Sequence, residues 1–301
     1  MNTSDPYDVV CIGNYTKDTI ITPSGTRYVD GGGSRYAAYA AAALGLKVAL
    51  VTRLAREDIH VVARFVLDEI DCFPTYSPAS TLMCLDYPTN NPDIRNMSVK
   101  SVAGSITTSA VEHLHFKSAV INSSLRGEVG LDVIRYIKGK DAFLAADMQG
   151  FVRVLQGENL VYAPWEEMEA TLPFLDVLKS DAVEAEYLTG ESDIFKAAKI
   201  YASMGAREIV LTHKNGLLVH ADGKFHEFEF FPSRLDGRSG RGDTCIGSYV
   251  AARLSKDPFQ AAIWAAALTS LKMEKLGPFD RPVSDVEDLI RTKYNHASFS
   301  G

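Results

Sequence analysis

Leu235-Asp-Gly-Arg-Ser-Gly-Arg-Gly-Asp243-Thr-Cys-Ile-Gly-Ser-Tyr-Val-Ala-Ala-Arg-Leu254 is the stretch on which the reading of this 301-residue chain turns. Ile246, Tyr249, Val250 and Leu254 recur at three- and four-residue steps, the buried stripe of a helix. Gly240, Arg241, Gly242 and Asp243 therefore stand at a helix N-terminus. The first amides of a helix have no partner within it, and the helix dipole adds partial positive charge, so such a turn can hold an anionic phosphate. Glycine lets the backbone approach that ligand closely. A carboxylate in the same turn is placed to accept the proton of an attacking hydroxyl while the amides stabilise charge on the phosphoryl oxygens. Taken alone, the turn reads equally well as an aspartate made favourable by the dipole at a glycine-rich helix start.

Outward from this turn, short β-branched runs alternate with helical stretches: Val9-Val-Cys-Ile12, Val48-Ala-Leu-Val51, Ala119-Val-Ile-Asn122, Ala142-Phe-Leu-Ala-Ala146, Asp176-Val-Leu178 and Glu208-Ile-Val-Leu-Thr212. The alternation predicts βαβ units, a mostly parallel sheet with helices on both faces, and ligands beyond the carboxyl ends of the strands. Ser34 is expected to cap a helix ending near Gly45, Asp257-Pro258 to start another, and Thr189-Gly190 to end a third. Two stretches break the pattern: 19–30, and 81–105 with the turn-rich centre Pro88-Thr-Asn-Asn-Pro-Asp93. Both read as strand pairs, suited to a small β lid or to plain surface hairpins. A third pair is expected at 216–221 and 224–232, turning at Asp222-Gly223.

The chain is 46% hydrophobic and 23% charged, enough for one large α/β domain over residues 1–301. A formal charge of -7 argues against nucleic acid or an anionic membrane as the partner. Cys11, Cys72, Cys84 and Cys245 form no CxxC pair, and the N-terminus has no basic stretch followed by an apolar one, so a reducing cytoplasm is expected. No apolar run reaches the ~20 residues that span a bilayer. His113 and His115 share a strand face but lack a third metal ligand nearby. There is no GxxxxGK(S/T) run, which excludes a P-loop kinase.

Residues 236–248 resemble the second signature of the ribokinase-like (PfkB) carbohydrate kinases, D-x-T-G-A-G-D followed by a helix. Gly31-Gly-Gly-Ser-Arg-Tyr-Ala-Ala-Tyr-Ala-Ala-Ala-Ala-Leu-Gly45 is similar to the first, GG-x-x-x-N-x-A-x-x-x-x-x-L-G. Between them, Gly13-Asn14 with Asp18 resembles the end of the first strand, Ala146-Asp147-Met-Gln149 a D-x-N segment, Asp181-Ala-Val-Glu184 an N-x-x-E motif, and Val210-Leu-Thr212 with Gly216 the nucleotide-side strand and turn. The resemblance implies a three-layer α/β sandwich with a β lid at about 14–30 and 81–105. It also implies transfer of a phosphoryl group from ATP, with Mg²⁺, to a hydroxyl of a small polyhydroxy compound. By the same resemblance Asp243 is the base and Gly240, Arg241 and Gly242 the anion hole. Asp18, Gly32, Gly33, Arg35, Tyr36 and Arg95 are expected at the acceptor, Thr212, Gly216 and Gly277 at the nucleotide, and Asp181 and Glu184 at the metal. A homodimer paired through lid edges is expected as well. The chain departs from the pattern at Tyr36 and Asp181, each in place of an asparagine, and at His213 in place of a glycine. A nucleoside kinase of the same fold and a non-catalytic metabolite sensor are the competing readings.

Overall fold

Val9 and Cys11 pack into one apolar cluster and Val10 and Ile12 into another, because successive residues of a strand point to opposite faces. A strand apolar at every position needs cover on both sides, the situation of a buried parallel sheet. The computed structural model, which describes residues 5–89 and 95–294, has this arrangement. Its strands are β1 Tyr7–Ile12, β2 Thr16–Thr22, β3 Gly25–Gly31, β4 Val48–Ala55, β5 Asp71–Ser77, β6 Thr81–Asp86, β7 Asn96–Ser101, β8 Phe116–Ile121, β9 Phe143–Asp147, β10 Arg153–Gln156, β11 Asn159–Tyr162, β12 Val177–Asp181, β13 Glu208–Thr212, β14 Gly216–Ala221 and β15 Lys224–Glu229.

Nine of them form the main sheet in the order β15-β14-β13-β12-β9-β8-β1-β4-β5. The seven from β13 to β5 are mutually parallel, and β14 and β15 add an antiparallel hairpin at one edge. Asp222 and Gly223 turn that hairpin with φ of 51° and 74°, the left-handed pair a two-residue turn requires. Helices Gly33–Ala42, Arg241–Arg253 and Pro258–Lys272 cover one face, and Leu131–Lys138 and Ile194–Ser203 the other. The result is the three-layer sandwich expected from the alternation. No helix among the described residues is long and apolar enough to cross a membrane.

Local signals were mostly realised. Asp257 accepts from the Gln260 amide at 2.8 Å ahead of Pro258, and Gly190 ends its helix at φ 73°. Ser34 is different: the helix starts at Gly33, and the Ser34 hydroxyl instead donates to the Gly13 carbonyl at 3.0 Å. That bond ties the helix start to the end of β1. The alanine-rich helix lies so close to Arg241–Arg253 that a Cβ on Gly247 would overlap the Ala37 backbone.

The second sheet has the order β10-β11-β7-β6-β2-β3. The two expected strand pairs supply four of its strands, and a third hairpin, Arg153–Gln156 with Asn159–Tyr162, supplies the others. Ile20, Met83, Leu85 and Val99 form its small core. Asn90 to Asp93 of the expected turn lie outside the described residues. The two histidines noted above form no metal cluster among the described residues, and His113 packs on Phe73.

Candidate active site

Two clefts, of about 660 and 770 Å³, are lined from the strand ends of the main sheet and from the second sheet. Ile20, Arg27, Ser239 and Leu276 line both. The glycine turn lies beside them. Gly240 takes φ 77° and precedes the helix Arg241–Arg253; the Tyr36 ring also lies against its Cα, so a side chain is excluded twice over.

Asp243 sits in the first turn of that helix and lines the second cleft. Asn122, just past β8, and Gln149 each donate a side-chain amide to its Oδ1 at 3.1 Å. Its Oδ2 accepts no bond from the described residues. Gly33 is required here because a Cβ would run into this carboxylate. Burial pushes the Asp243 carboxyl up to about 6, with the Asp147 carboxylate adding to the rise, while Lys179, the Asn122 hydrogen bond and Arg153 oppose it.

Two buried ion pairs build the floor of the second cleft. Lys179 and Asp147 are direct partners across β12 and β9, and their side chains meet at 2.9 Å. Burial works against the Lys179 charge, but the carboxylates of Asp147, Glu184, Asp181 and Asp243 outweigh it and raise its pKa. A Cβ on Gly242 would strike the Lys179 ammonium, which therefore lies directly against the anion-binding turn. Arg153 pairs with Glu184 at 3.0 Å. Burial and then Asp181 push the Glu184 carboxyl up to about 7 against the pull of Arg153 and Lys179.

Asp181 and Glu184 form a capping box: Asp181 Oδ1 accepts from the Glu184 amide at 2.8 Å and Glu184 Oε2 from the Asp181 amide at 3.1 Å. Both Glu184 oxygens are engaged, whereas Asp181 Oδ2 accepts no bond from the described residues. Among those residues no three metal-ligating side chains converge. This donor set fits Mg²⁺, which takes one or two carboxylates and completes its shell with water and substrate phosphates.

The first cleft is lined by Asp18, Arg35 and Tyr36. Burial raises the Asp18 carboxyl to about 6, opposed by the nearby Thr16 hydroxyl and the Arg35 guanidinium. Tyr36 is 8% exposed, packed on Gly240 and capped by the Lys272 ammonium 5.1 Å from its ring centre. Lys272 donates to the carbonyls of Gly237 and Ser239, holding the glycine turn, and burial pulls its pKa down to about 8.

Not every residue stands where the resemblance implied. Arg95 lines the second cleft, beside Thr212, and donates to the Tyr87 hydroxyl at 3.3 Å. Gly277 lines the first cleft. Gly216 lines neither: its carbonyl accepts from the His213 amide at 2.9 Å, and a Cβ there would collide with the Phe228 carbonyl. Gly32, at φ 104°, shapes the loop against the Asn14 backbone. Lys179, Arg153, Asn122 and Lys272 were not singled out by sequence reasoning, since each enters the site through a partner distant in the chain.

No protein-family model matches the chain. A pyrophosphate-dependent kinase in the ribokinase family, solved with a pyrophosphate analogue and myo-inositol, superposes with a TM-score of 0.86 at 34% identity, over 93% of this chain and 99% of that one. The chain belongs to the ribokinase family. The cytidine kinase of Thermococcus kodakarensis is 26% identical over 265 residues, 85% of this chain and 92% of that protein. Arabidopsis thaliana ribokinase, complexed with ribose and ATP, shares the fold at a TM-score of 0.75 and 15% identity, over 96% of this chain and 100% of that one.

Proposed function

We propose that this kinase transfers a phosphoryl group from pyrophosphate to a hydroxyl of a cyclitol of the myo-inositol kind, with Asp243 as the base. What carries the reading is Asp243 itself, held through Oδ1 by Asn122 and Gln149 with Oδ2 left for the acceptor proton. Asp18, Arg35 and Tyr36 bind the acceptor, and the amides of 240–242 take the transferring phosphoryl oxygens. Arg153, Lys179, Lys214, Arg238 and Arg241 line the donor cleft, a concentration of cationic side chains suited to a compact, highly charged donor. The pyrophosphate dependence of the 34% identical relative points the same way. Mg²⁺, held by Asp181 with the donor's oxygens, would neutralise charge on the leaving phosphate. The chain acts as one unit, with the second sheet as a lid that excludes water on closing.

ATP is the second reading of the donor, favoured by Thr212 on that cleft and by the ATP-bound ribokinase of the same fold. Product formation from pyrophosphate or ATP with myo-inositol, ribose and cytidine, in the presence of Mg²⁺, separates the cases. The expected result is fastest transfer from pyrophosphate to myo-inositol. Faster turnover with ATP reassigns the donor, a preference for cytidine makes the enzyme a nucleoside kinase, and no transfer to any acceptor favours the sensor.

The pH profile provides a further check. Asp243 must be ionised to take a proton, and its raised pKa places the loss of base function well above the range of an ordinary carboxylate. The kcat/KM for the acceptor should therefore be flat above about pH 7 and fall as pH drops through about 6. An acid limb near pH 4 would contradict the enclosed geometry of Asp243.

A further inference from the structure

Arg27 has no part in the roles assigned so far. It lies on β3 directly across from Ile20 of β2, and it shares a sheet face with Val29, Asp18, Met83 and Leu85, because alternate residues and registered partners point the same way. That face is the apolar core of the second sheet, interrupted by the two charges Asp18 and Arg27. Arg27 is exposed and makes no hydrogen bond or ion pair with the described residues. Among those residues it is the charged side chain that lines both clefts.

An arginine on such a face has no structural partner among the described residues to account for it. When the second sheet closes on the clefts the guanidinium loses water and requires an anion in exchange. At the shared edge of the two clefts, the anion that the reaction supplies is the phosphoryl group passing from one to the other.

We propose that Arg27 is a catalytic residue whose guanidinium binds the phosphoryl oxygens during transfer, opposite the amides of the glycine turn. The inference rests on the phosphotransferase reading above. In that step the acceptor hydroxyl gives its proton to Asp243 and its oxygen forms a bond to phosphorus. The bond from phosphorus to the bridging donor oxygen breaks, and the leaving phosphate takes the electron pair. Arg27 supplies positive charge and a planar pair of donors to the equatorial oxygens.

Arg27→Ala is expected to fold with an unchanged Tm, since it removes an exposed side chain without partners among the described residues. With pyrophosphate and myo-inositol, kcat should fall about 10²- to 10³-fold, the effect of losing one preorganised charge-stabilising donor. The acceptor KM should stay within about threefold, because the contact forms with the phosphoryl group and not with the acceptor. Arg27→Lys should recover part of the loss, restoring charge but not the planar fork. An unchanged kcat, or a raised acceptor KM at constant kcat, would overturn the proposal.

A readout free of turnover uses aluminium fluoride with inorganic phosphate and myo-inositol, a mimic of the planar phosphoryl group. Wild type should gain thermal stability beyond that given by myo-inositol alone, and Arg27→Ala should lose the extra gain while keeping the myo-inositol effect. An equal gain in both proteins would reject the role for Arg27 while leaving the kinase reading standing. If wild type transfers nothing and gains nothing from aluminium fluoride, the kinase reading itself fails and the role of Arg27 with it.

Discussion

Asp243→Asn should lower phosphoryl transfer by about 10²- to 10⁴-fold, the usual contribution of a positioned base, while leaving donor binding intact or tighter. Asparagine has nearly the same shape, and its carbonyl oxygen can still accept from Asn122 and Gln149. Its packing against Gly33 is unaltered, so the glycine turn should keep its conformation. The second carboxylate oxygen, the one proposed to take the acceptor proton, is what disappears. A negative charge beside the donor phosphates disappears with it, which is why pyrophosphate affinity is expected to hold or rise. Titration of pyrophosphate by calorimetry together with single-turnover transfer separates the two effects. Turnover within a few-fold of wild type would remove Asp243 as the base, and loss of pyrophosphate binding would show the side chain to be a structural support of the turn.

The features that made this site legible in the sequence are those whose physics is local. Val9 to Ile12 is apolar at every position, which is enough to require a sheet covered on both faces. The helix start at Gly240 is marked by its own glycines and by the spacing of Ile246, Tyr249 and Val250. Asp222-Gly223 is a turn by its own conformational preferences. The hairpin Arg153–Tyr162 gave no such signal, because its strands are four residues each and their pairing to β7 rests on one register contact, Asn159 with Ser98. β5 was hidden by Pro74 and by a polar composition tolerated at a sheet edge. Lys179 reads as a solvated lysine until β9 and β12 are aligned and Asp147 appears opposite it. Arg153 is hidden in the same way, since its partner Glu184 lies 31 residues away. The role of Tyr36, where the family has an asparagine, also became physical only in three dimensions: its ring supports Gly240 and lies beneath Lys272.

Lys179→Met tests whether the buried pair does more than hold two neighbouring strands of the main sheet in register. Methionine fills a similar volume, but it leaves the Asp147 carboxylate, itself fully enclosed, with no counter-charge. Breaking one side of a buried ion pair costs about 3–5 kcal/mol, which in a chain of this size corresponds to a fall in Tm on the order of 10 °C. The double variant Lys179→Met with Asp147→Asn removes the stranded charge and should recover most of that loss. Activity is expected to behave differently. The ammonium lies against Gly242 and lines the second cleft, the proposed donor site, so both variants should bind pyrophosphate weakly and transfer slowly. Lys179 is also among the groups that hold the Asp243 pKa down. Without it the Asp243 carboxyl should titrate higher, and the acid limb of kcat/KM should move to higher pH in the single variant. Neutralising Asp147, which pushes Asp243 up, should move it back in the double variant. Recovery of both Tm and full donor affinity in the double variant would mean that the pair is structural and that Arg153, Arg241 and the turn amides hold the donor without Lys179.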